Sequence, residues 1–543
     1  MDMSIDDVSA AKLTTVRDAS FEVLRMTGMT RIFSNPGSTE IPLLTNFPDE
    51  FDFILGLHEG SVVGMATGFA IATGSPQLVL LHTSAGLGNA AGAIATARVN
   101  RAPLVVLVGQ QDRRHLVNRP FLAGELTGMV GNYPVWEGFP VLARDVPTLL
   151  LRAWHEANSR RGPAILIVPM DDWTNSADPR GLSAPSDLAI GDARSSVVTE
   201  VIDLLNSARN PAIVVGSDCD SHVAWEALVQ LAELLQCPVW QESFGARAGF
   251  PQDHRLFAGH IPSDRVRMRS VLRDNDVVLV VGAPAFRQYQ YQDGGFVVEG
   301  TKVLLITDNQ ELAIESVAER ALVGSIPELV RAIVASVNRR IAASPVEQKS
   351  PQADESSGVK LDVDWVLRKL AERLDPRTIV VEECPSARPM LHRYILARRP
   401  LGFLSAAMGG LGFAMPASLG LRMADSARPV LAIVGDGSLM YSIQSLWSAA
   451  NYGIGVLFVV LNNGRYAVMD RLAEAAGCSS PPWPALSNLD VAGVARGFGC
   501  GAEVVETNDQ LMTALDNLIP TLAERTSPYL LEIRVGATTT FAP

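Results

Sequence analysis

Cysteine is scarce, with five residues (Cys219, Cys237, Cys384, Cys478 and Cys500) scattered over 543 positions. No pair has metal-ligand spacing, and an odd, dispersed set suits a reducing cytoplasm better than a disulfide framework. Positive charge is also in deficit. Lys+Arg number 45 against 58 Asp+Glu, and the formal net charge of −13 argues against nucleic acid or an anionic membrane as the main partner. The opening Met1-Asp-Met-Ser-Ile-Asp-Asp7 is acidic and lacks a signal-peptide pattern. No short-period repeat is present. Two stretches, Gly60 to Ala97 and Leu401 to Leu421, lack charge altogether and are long enough to span a bilayer. Both are interrupted by Gly, Ser, Thr and Pro, and His82 lies inside the first. They read as buried α/β core or subunit interface, so the chain is expected to be soluble and cytoplasmic.

What remains is a well-packed globular composition, 48% hydrophobic and 19% charged. The length is too great for one core and implies two to four domains. From the N-terminus, helical and strand patterns alternate. Ala11 to Thr27 reads as a helix, Arg31 to Ser34 as a strand, and Asn35-Pro-Gly-Ser38 as a loop before a second helix. Phe51 to Leu57 is a strand ending at His58-Glu59, and a small-residue helix follows from Ser61 to Ala72. Gln77 to Leu81 leads to His82, where another helix opens, and Leu104 to Val108 and Ala164 to Val168 add buried strands. Such alternation predicts a parallel sheet covered on both faces. Pro211 to Gly216, Val277 to Gly282 and Val303 to Asp308 repeat the pattern in a middle region. The polar stretch Ala342 to Gly358 reads as a linker. The expected architecture is therefore α/β, with three Rossmann-like, doubly wound parallel-sheet domains: 1–185, 195–340 and, after a linker at 341–360, 361–543.

The most informative local pattern lies in the last region. The apolar run Leu431 to Val434 stops at Gly435-Asp436-Gly437, where glycines permit close approach and unusual backbone angles. Ser438 opens a helical segment, Leu439 to Ala450, and a second strand, Val456 to Leu461, ends at Asn462-Asn463-Gly464. In a parallel βαβ unit both turns fall at one sheet edge, beside a helix N-terminus that favours phosphate. Asp436, Asn463 and a nearby carbonyl make an all-oxygen set suited to Mg²⁺ shared with phosphates. An ordinary βαβ unit with Gly/Asn-rich turns is the plain alternative. Glu59, ending an apolar strand, can be a buried proton-sharing carboxyl or simply a cap for Val62 or Val63. Gly86-Leu-Gly88-Asn-Ala-Ala91 after a strand fits a dinucleotide fingerprint, with Asp112 rather late for the ribose acid.

The spacing of Gly435-Asp436-Gly437 and Asn462-Asn463 resembles the thiamine diphosphate signature. Further similar segments are Phe33 to Glu40, His58-Glu59 with Val62 to Gly64, Leu81-His82 through Asn89, and Gly109 to Gln111. Pro169 to Trp173, Gly282 to Arg287 with Gln290-Tyr291, and Gly409 to Pro416 extend the likeness to all three regions. The whole chain thus resembles the thiamine diphosphate-dependent decarboxylases, of the benzoylformate decarboxylase kind. The resemblance implies decarboxylation of an aromatic 2-oxo acid to the aldehyde and CO₂, with thiamine diphosphate and Mg²⁺ as cofactors. It also implies a homodimer or homotetramer with active sites at the subunit interface. Glu59 would bond the pyrimidine, Gly409 would offer its carbonyl, and Leu411 would wedge beneath the cofactor. Asp436, Asn463 and the Arg465 carbonyl would hold the metal, with Ser386, Gly437, Ser438 and Tyr466 around the diphosphate. Ser38 and His82 would face the substrate.

Taken alone, a histidine in the place of His82 is more often a structural residue, and Leu411 reads as a core leucine; the match on both sides of His82 reverses that order. One departure stands out: Tyr289 occupies the place of the family's second histidine, and a phenol titrating near 10 is a poorer proton relay than imidazole. Phe121, Leu122, Met469 and Leu472 fall at substrate-pocket positions, although each could simply be core. A carboligase of acetolactate synthase or benzaldehyde lyase type and an NAD-dependent dehydrogenase are the rival enzymes. A non-catalytic binding protein is the third reading.

Overall fold

The computed structural model describes residues 14–177, 196–341, 361–478 and 480–537. The linker expected at 341–360 lies, beyond Ile341, outside the described residues. The chain divides into two compact units, Met1–Leu188 and Ala189–Pro543.

The first unit holds a six-stranded sheet in the spatial order Asp52–Leu55, Arg31–Asn35, Gln77–His82, Leu104–Gln110, Pro163–Pro169 and Trp136–Gly138. Every neighbouring pair is parallel. Leu104–Gln110 and Pro163–Pro169 are buried at every position, which explains their near-continuous apolar sequence. Among the described residues the first helix is Val16–Met26, so the expected helix starts two residues past Thr14, and Ala11 to Leu13 lie outside the described residues. Thr15 accepts a bond from the Asp18 N–H while the Asp18 carboxylate accepts from the Thr15 N–H, a reciprocal cap that fixes the start. Thr14–Thr15 instead pairs antiparallel with Ser176–Ala177.

The uncharged stretch after Glu59 becomes two helices, Glu59–Thr73 and Thr83–Val99, packed against each other around the strand Gln77–His82. Their small side chains allow close approach. Among the described residues no helix is long and apolar enough to cross a membrane.

The second unit contains two six-stranded sheets, again parallel throughout. One runs Phe257–His260, Val239–Gln241, Pro211–Val215, Val277–Val281, Lys302–Thr307, Arg320–Val323. The other runs Phe403–Ser405, Ile379–Glu383, Val430–Gly435, Leu457–Asn462, Tyr529–Arg534, Gly501–Val505. The two sheets are stitched by hydrogen bonds between Gln252 and Ala397 (2.9 and 2.8 Å) and from the Leu401 N–H to Asp220 (2.8 Å). Trp225 and Ala248 sit in the same core as Trp365 and Leu391. With three such sheets, the α/β architecture is that anticipated from the sequence.

Candidate active site

The strands Val430–Gly435 and Leu457–Asn462 are adjacent and parallel, with Gly435 beside Leu461. Their turns therefore meet at one sheet edge. Asp436 is 3% exposed, and one of its oxygens (Oδ2) accepts from the Gly464 N–H at 2.9 Å. Asn463 Oδ1 accepts from the Arg465 N–H at 2.9 Å, which closes the turn. Behind it, Asn462 Oδ1 accepts from the Gly464 N–H at 3.0 Å, and its Nδ2 donates to Glu532 at 2.7 Å.

Two local expectations change here. Neither Gly435 nor Gly437 takes a left-handed conformation; Gly409, Gly412 and Gly464 do, with φ of 75°, 95° and 69°. Gly437 is instead tightly surrounded: a Cβ there would stand 3.2 Å from the Tyr466 ring and 3.3 Å from Leu486, so one of these side chains would have to shift by a few tenths of an ångström. The helix expected over Leu439 to Ala450 is two short ones, Asp436–Leu439 and Ser445–Asn451. Between them Tyr441, Ser442 and Ser445 make tight i→i+3 bonds.

A cavity of about 490 Å³ opens at this edge. Its wall brings together Ser386, Gly409, Leu411, Asp436, Gly437, Ser438, Asn463, Arg465 and Tyr466, together with Tyr289 and Met469. Leu472 is not part of it. Two further groups in the wall went unassigned in the sequence. Glu383 ends the strand Ile379–Glu383, where the pair Glu382-Glu383 after an apolar run was the available signal. Arg287 donates to the carbonyls of Phe244 (3.1 Å) and Ala407 (3.0 Å), linking the two sheets of this unit.

The donor set suits a hard cation. It comprises a carboxylate, an amide oxygen and a main-chain carbonyl, and among the described residues no cluster of three or more His, Cys, Asp or Glu competes with it. Burial, opposed by backbone N–H groups of Gly464 and Gly437, pushes Asp436 above the usual carboxylate range. A cation beside it would relieve that cost.

The first unit carries the other candidates. Glu59 is the first residue of its helix and 8% exposed. Capping is done by His58, whose Nδ1 accepts from the Gly60 N–H at 3.1 Å. The Glu59 oxygens instead accept from the side-chain amides of Asn35 (3.3 Å) and Asn89 (3.0 Å). Among the described residues no cation hydrogen-bonds to this buried carboxyl, which lies between two neutral amides.

His82 ends the strand Gln77–His82, and its ring lies where any side chain at Gly37 would stand, 2.4 Å from a Cβ there. Its Nδ1 faces Glu40 Oε2 at 3.0 Å and Thr39 Oγ1 at 2.9 Å. Glu40 is 1% exposed and also accepts from the Gly37 N–H at 2.7 Å. Glu40 was not singled out from the sequence, because its link to His82 exists only once Arg31–Asn35 pairs with Gln77–His82. Thr83, next to His82, has φ 40°, an uncommon angle for a β-branched residue. Ser38 is exposed, as are Phe121 (88%) and Leu122 (37%) in a turn of this unit.

The dinucleotide fingerprint fails on geometry. Gly86 and Gly88 lie inside the helix Thr83–Val99, whereas the phosphate loop of such a site precedes its helix. A Cβ at Gly86 would sit at ordinary contact distance from Leu81 (3.5 Å) and Glu59 (3.6 Å), so no close approach to a ligand demands glycine there.

Three parallel-sheet α/β domains with an acid–amide turn at a cavity define a diphosphate-binding enzyme class. Sequence models of the thiamine pyrophosphate enzymes match the N-terminal TPP binding domain at 14–129, the central domain at 198–333 and the C-terminal TPP binding domain at 386–533. The chain belongs to the thiamine pyrophosphate (thiamine diphosphate) enzymes. It is 36% identical to a benzoylformate decarboxylase of Pseudomonas aeruginosa over 96% of this chain and 99% of that one. A solved thiamine diphosphate-dependent 4-hydroxybenzoylformate decarboxylase of Rhodococcus jostii superposes with a TM-score of 0.91 at 31% identity, covering 97% of this chain and 100% of that chain. A putative acetolactate synthase large subunit of Mycobacterium tuberculosis is 28% identical over 90% of this chain and 93% of its own length. These findings remove the NAD-dependent dehydrogenase reading.

Proposed function

We propose that this enzyme decarboxylates an aromatic 2-oxo acid of the benzoylformate kind, releasing the aldehyde and CO₂, with thiamine diphosphate and Mg²⁺. The observation that carries the reading is one cavity whose wall joins the Asp436–Asn463 turn to the apolar and aromatic groups Leu411, Met469, Phe244 and Tyr289. Thiamine diphosphate supplies a carbon nucleophile and a sink for the electrons left by departing CO₂.

The chain's own residues do the rest. Asp436, Asn463 and the Arg465 carbonyl would hold Mg²⁺ against the diphosphate, with Ser386, Gly437, Ser438 and Tyr466 around it. The Gly409 carbonyl would accept from the aminopyrimidine, and Leu411 would fix the angle between the two rings. Glu59 would share its proton with the pyrimidine nitrogen, held in place by Asn35 and Asn89. His82, braced by Glu40, and Ser38 would orient the 2-oxo acid and move protons. Tyr289 and Met469 in the cavity wall, with Phe121 and Leu122, would set the acyl group. Glu59 and Asp436 would act together across a subunit interface, making the enzyme an obligate homodimer or a dimer of dimers. Light scattering that found only monomer in the active preparation would remove that arrangement.

The test of the activity is CO₂ release from a panel of 2-oxo acids. Aromatic acids should exceed pyruvate by about a hundredfold or more in kcat/KM, the scale of a few kcal/mol of pocket discrimination. No turnover of any aromatic acid by the cofactor-loaded protein would overturn the reading.

A carboligase reading is the alternative, favoured by Tyr289 standing where an imidazole relay is expected. A slower proton transfer from Tyr289 would favour ligation to an added aldehyde over simple release. Incubation with 2-oxo acid and excess aldehyde separates the two, since a ligase yields mainly hydroxyketone.

A further inference from the structure

Beside the cavity, the segment Gly409-Gly410-Leu411 is a bend with left-handed glycines at Gly409 and Gly412. Such a bend is set by what holds its two ends. At the near end the Gly409 N–H donates to the Ala406 carbonyl at 2.9 Å. At the far end three consecutive amides converge on one carboxylate. Gly412 N–H donates to Glu383 Oε1, and Phe413 and Ala414 N–H donate to Glu383 Oε2, each at 2.7 Å.

Glu383 is 5% exposed and sits at the tip of the strand Ile379–Glu383. The three amides lead directly into the 11-residue helix Ala414–Ala424, whose cap residue Phe413 has no capping side chain. The carboxylate therefore does the capping from a neighbouring strand, where the helix dipole also favours negative charge. Its neighbour Glu382 is used differently, accepting from Arg388 Nε and from the Cys384 N–H, both at 2.7 Å. Nothing in that pairing substitutes for Glu383.

We propose that Glu383 is a positioning residue for the cofactor: by clamping the Gly412–Ala414 amides it sets where the Gly409 carbonyl and the Leu411 side chain stand. The proposal rests on the assignment of Gly409 and Leu411 to the cofactor made above. It separates two ends of one ligand. The diphosphate end belongs to Asp436 and Asn463 and does not depend on Glu383. The ring end, and the approach of the amino group to the thiazolium C2 carbon, does.

Glu383→Gln tests this, because it keeps the side-chain length but turns one acceptor oxygen into a donor facing N–H groups. Glu383→Asp, which keeps the charge and shortens the reach, serves as the second variant should the first not fold. Thermal unfolding of the cofactor-free proteins checks folding. Calorimetric titration with Mg²⁺ plus either thiamine diphosphate or inorganic diphosphate reads the two ends separately. Deuterium exchange at C2 of the bound cofactor, followed by NMR without any 2-oxo acid, reads ring placement.

The expected result is affinity for thiamine diphosphate weakened about tenfold or more, with inorganic diphosphate within about twofold of wild type. C2 exchange at saturation should be about tenfold slower, the cost of a small misplacement of reacting atoms. A folded variant with wild-type thiamine diphosphate affinity and exchange rate overturns the proposal. Equal weakening of both ligands also overturns it, because it would indicate a merely structural role. Wild-type protein that takes up no thiamine diphosphate would instead sink the underlying assignment.

Discussion

Residues whose chemistry lies next to a strand end in the sequence could be found without the structure. Glu59, Asp436 and Asn463 each come two residues after the end of an apolar run, at Leu57, Val434 and Leu461 respectively. Glu40 could not, since its partner His82 is 42 positions away and is brought to it only by strand pairing. Glu40→Gln should therefore lower kcat/KM by about ten- to a hundredfold, within the range of weakened acid–base catalysis, while calorimetry shows cofactor uptake unchanged. Loss of cofactor binding in that variant would contradict the role given to Glu40. Glu59→Gln should cost more, about a hundred- to ten-thousandfold in turnover, with the protein still folded and Mg²⁺-diphosphate still bound. Full activity in Glu59→Gln would remove the proton-sharing role. The contrast between the two variants separates a group that touches the cofactor from one that braces a neighbour.

Long, strongly patterned elements were visible in composition, and short or interrupted ones were not. Val239–Gln241, Trp136–Gly138 and Phe403–Ser405 are three-residue strands, too brief for any period to register. The helix after Ser438 kept its apolar pattern in sequence although its backbone breaks at Met440 to Gln444. The break is consequential, because it leaves Asp436–Leu439 as an isolated turn carrying Asp436, Gly437 and Ser438. A Cβ at Gly437 would press on the Tyr466 ring and Leu486. Gly437→Ala should thus weaken Mg²⁺-thiamine diphosphate binding about tenfold, through displacement of Tyr466 or the turn. Unchanged cofactor affinity would mean that the ring simply yields. Cofactor-free stability should change by no more than about 1–2 kcal/mol, judged by urea denaturation.

At the scale of the whole molecule, the alternation of strands and helices made three parallel sheets legible. The merging of the last two sheets into one compact unit was not, since it rests on long-range bonds such as Gln252 to Ala397 and Leu401 to Asp220. That same junction stacks His260 on His392, ring centroids 3.8 Å apart. Burial, and then nearby Arg388, pushes His260 down to about 3, while burial, His260 and Arg388 lower His392. An unfolded chain protonates histidine near 6.5. The stability these two groups contribute is therefore present above about pH 7 and is lost as pH falls below the unfolded value, for His260 toward about 3. Asp220, raised to about 6 by burial despite Arg247, acts in the opposite direction over part of that range. The clean measurement is the difference between wild type and His392→Gln in urea midpoint from about pH 7.5 to about pH 5. Wild type should lose more, and parallel curves would show that the stacked pair tolerates a proton.

The buried carboxylate at the back of the metal turn has a consequence of another kind. Glu532 is fully buried, accepting from Asn462 Nδ2 at 2.7 Å and from the Ala492 N–H at 3.0 Å, and pairing with Arg534 at 2.8 Å. Asn462 in turn holds Gly464, so the shape of the turn that carries Asn463 is dictated by a neighbouring strand that never meets the ligand. Loosening it, as in Glu532→Gln, should raise the cofactor concentration needed for half-maximal activity while leaving the saturated rate close to wild type. The variant would thus be an enzyme limited by vitamin supply, idle at a thiamine diphosphate concentration that saturates the wild type and restored by adding more.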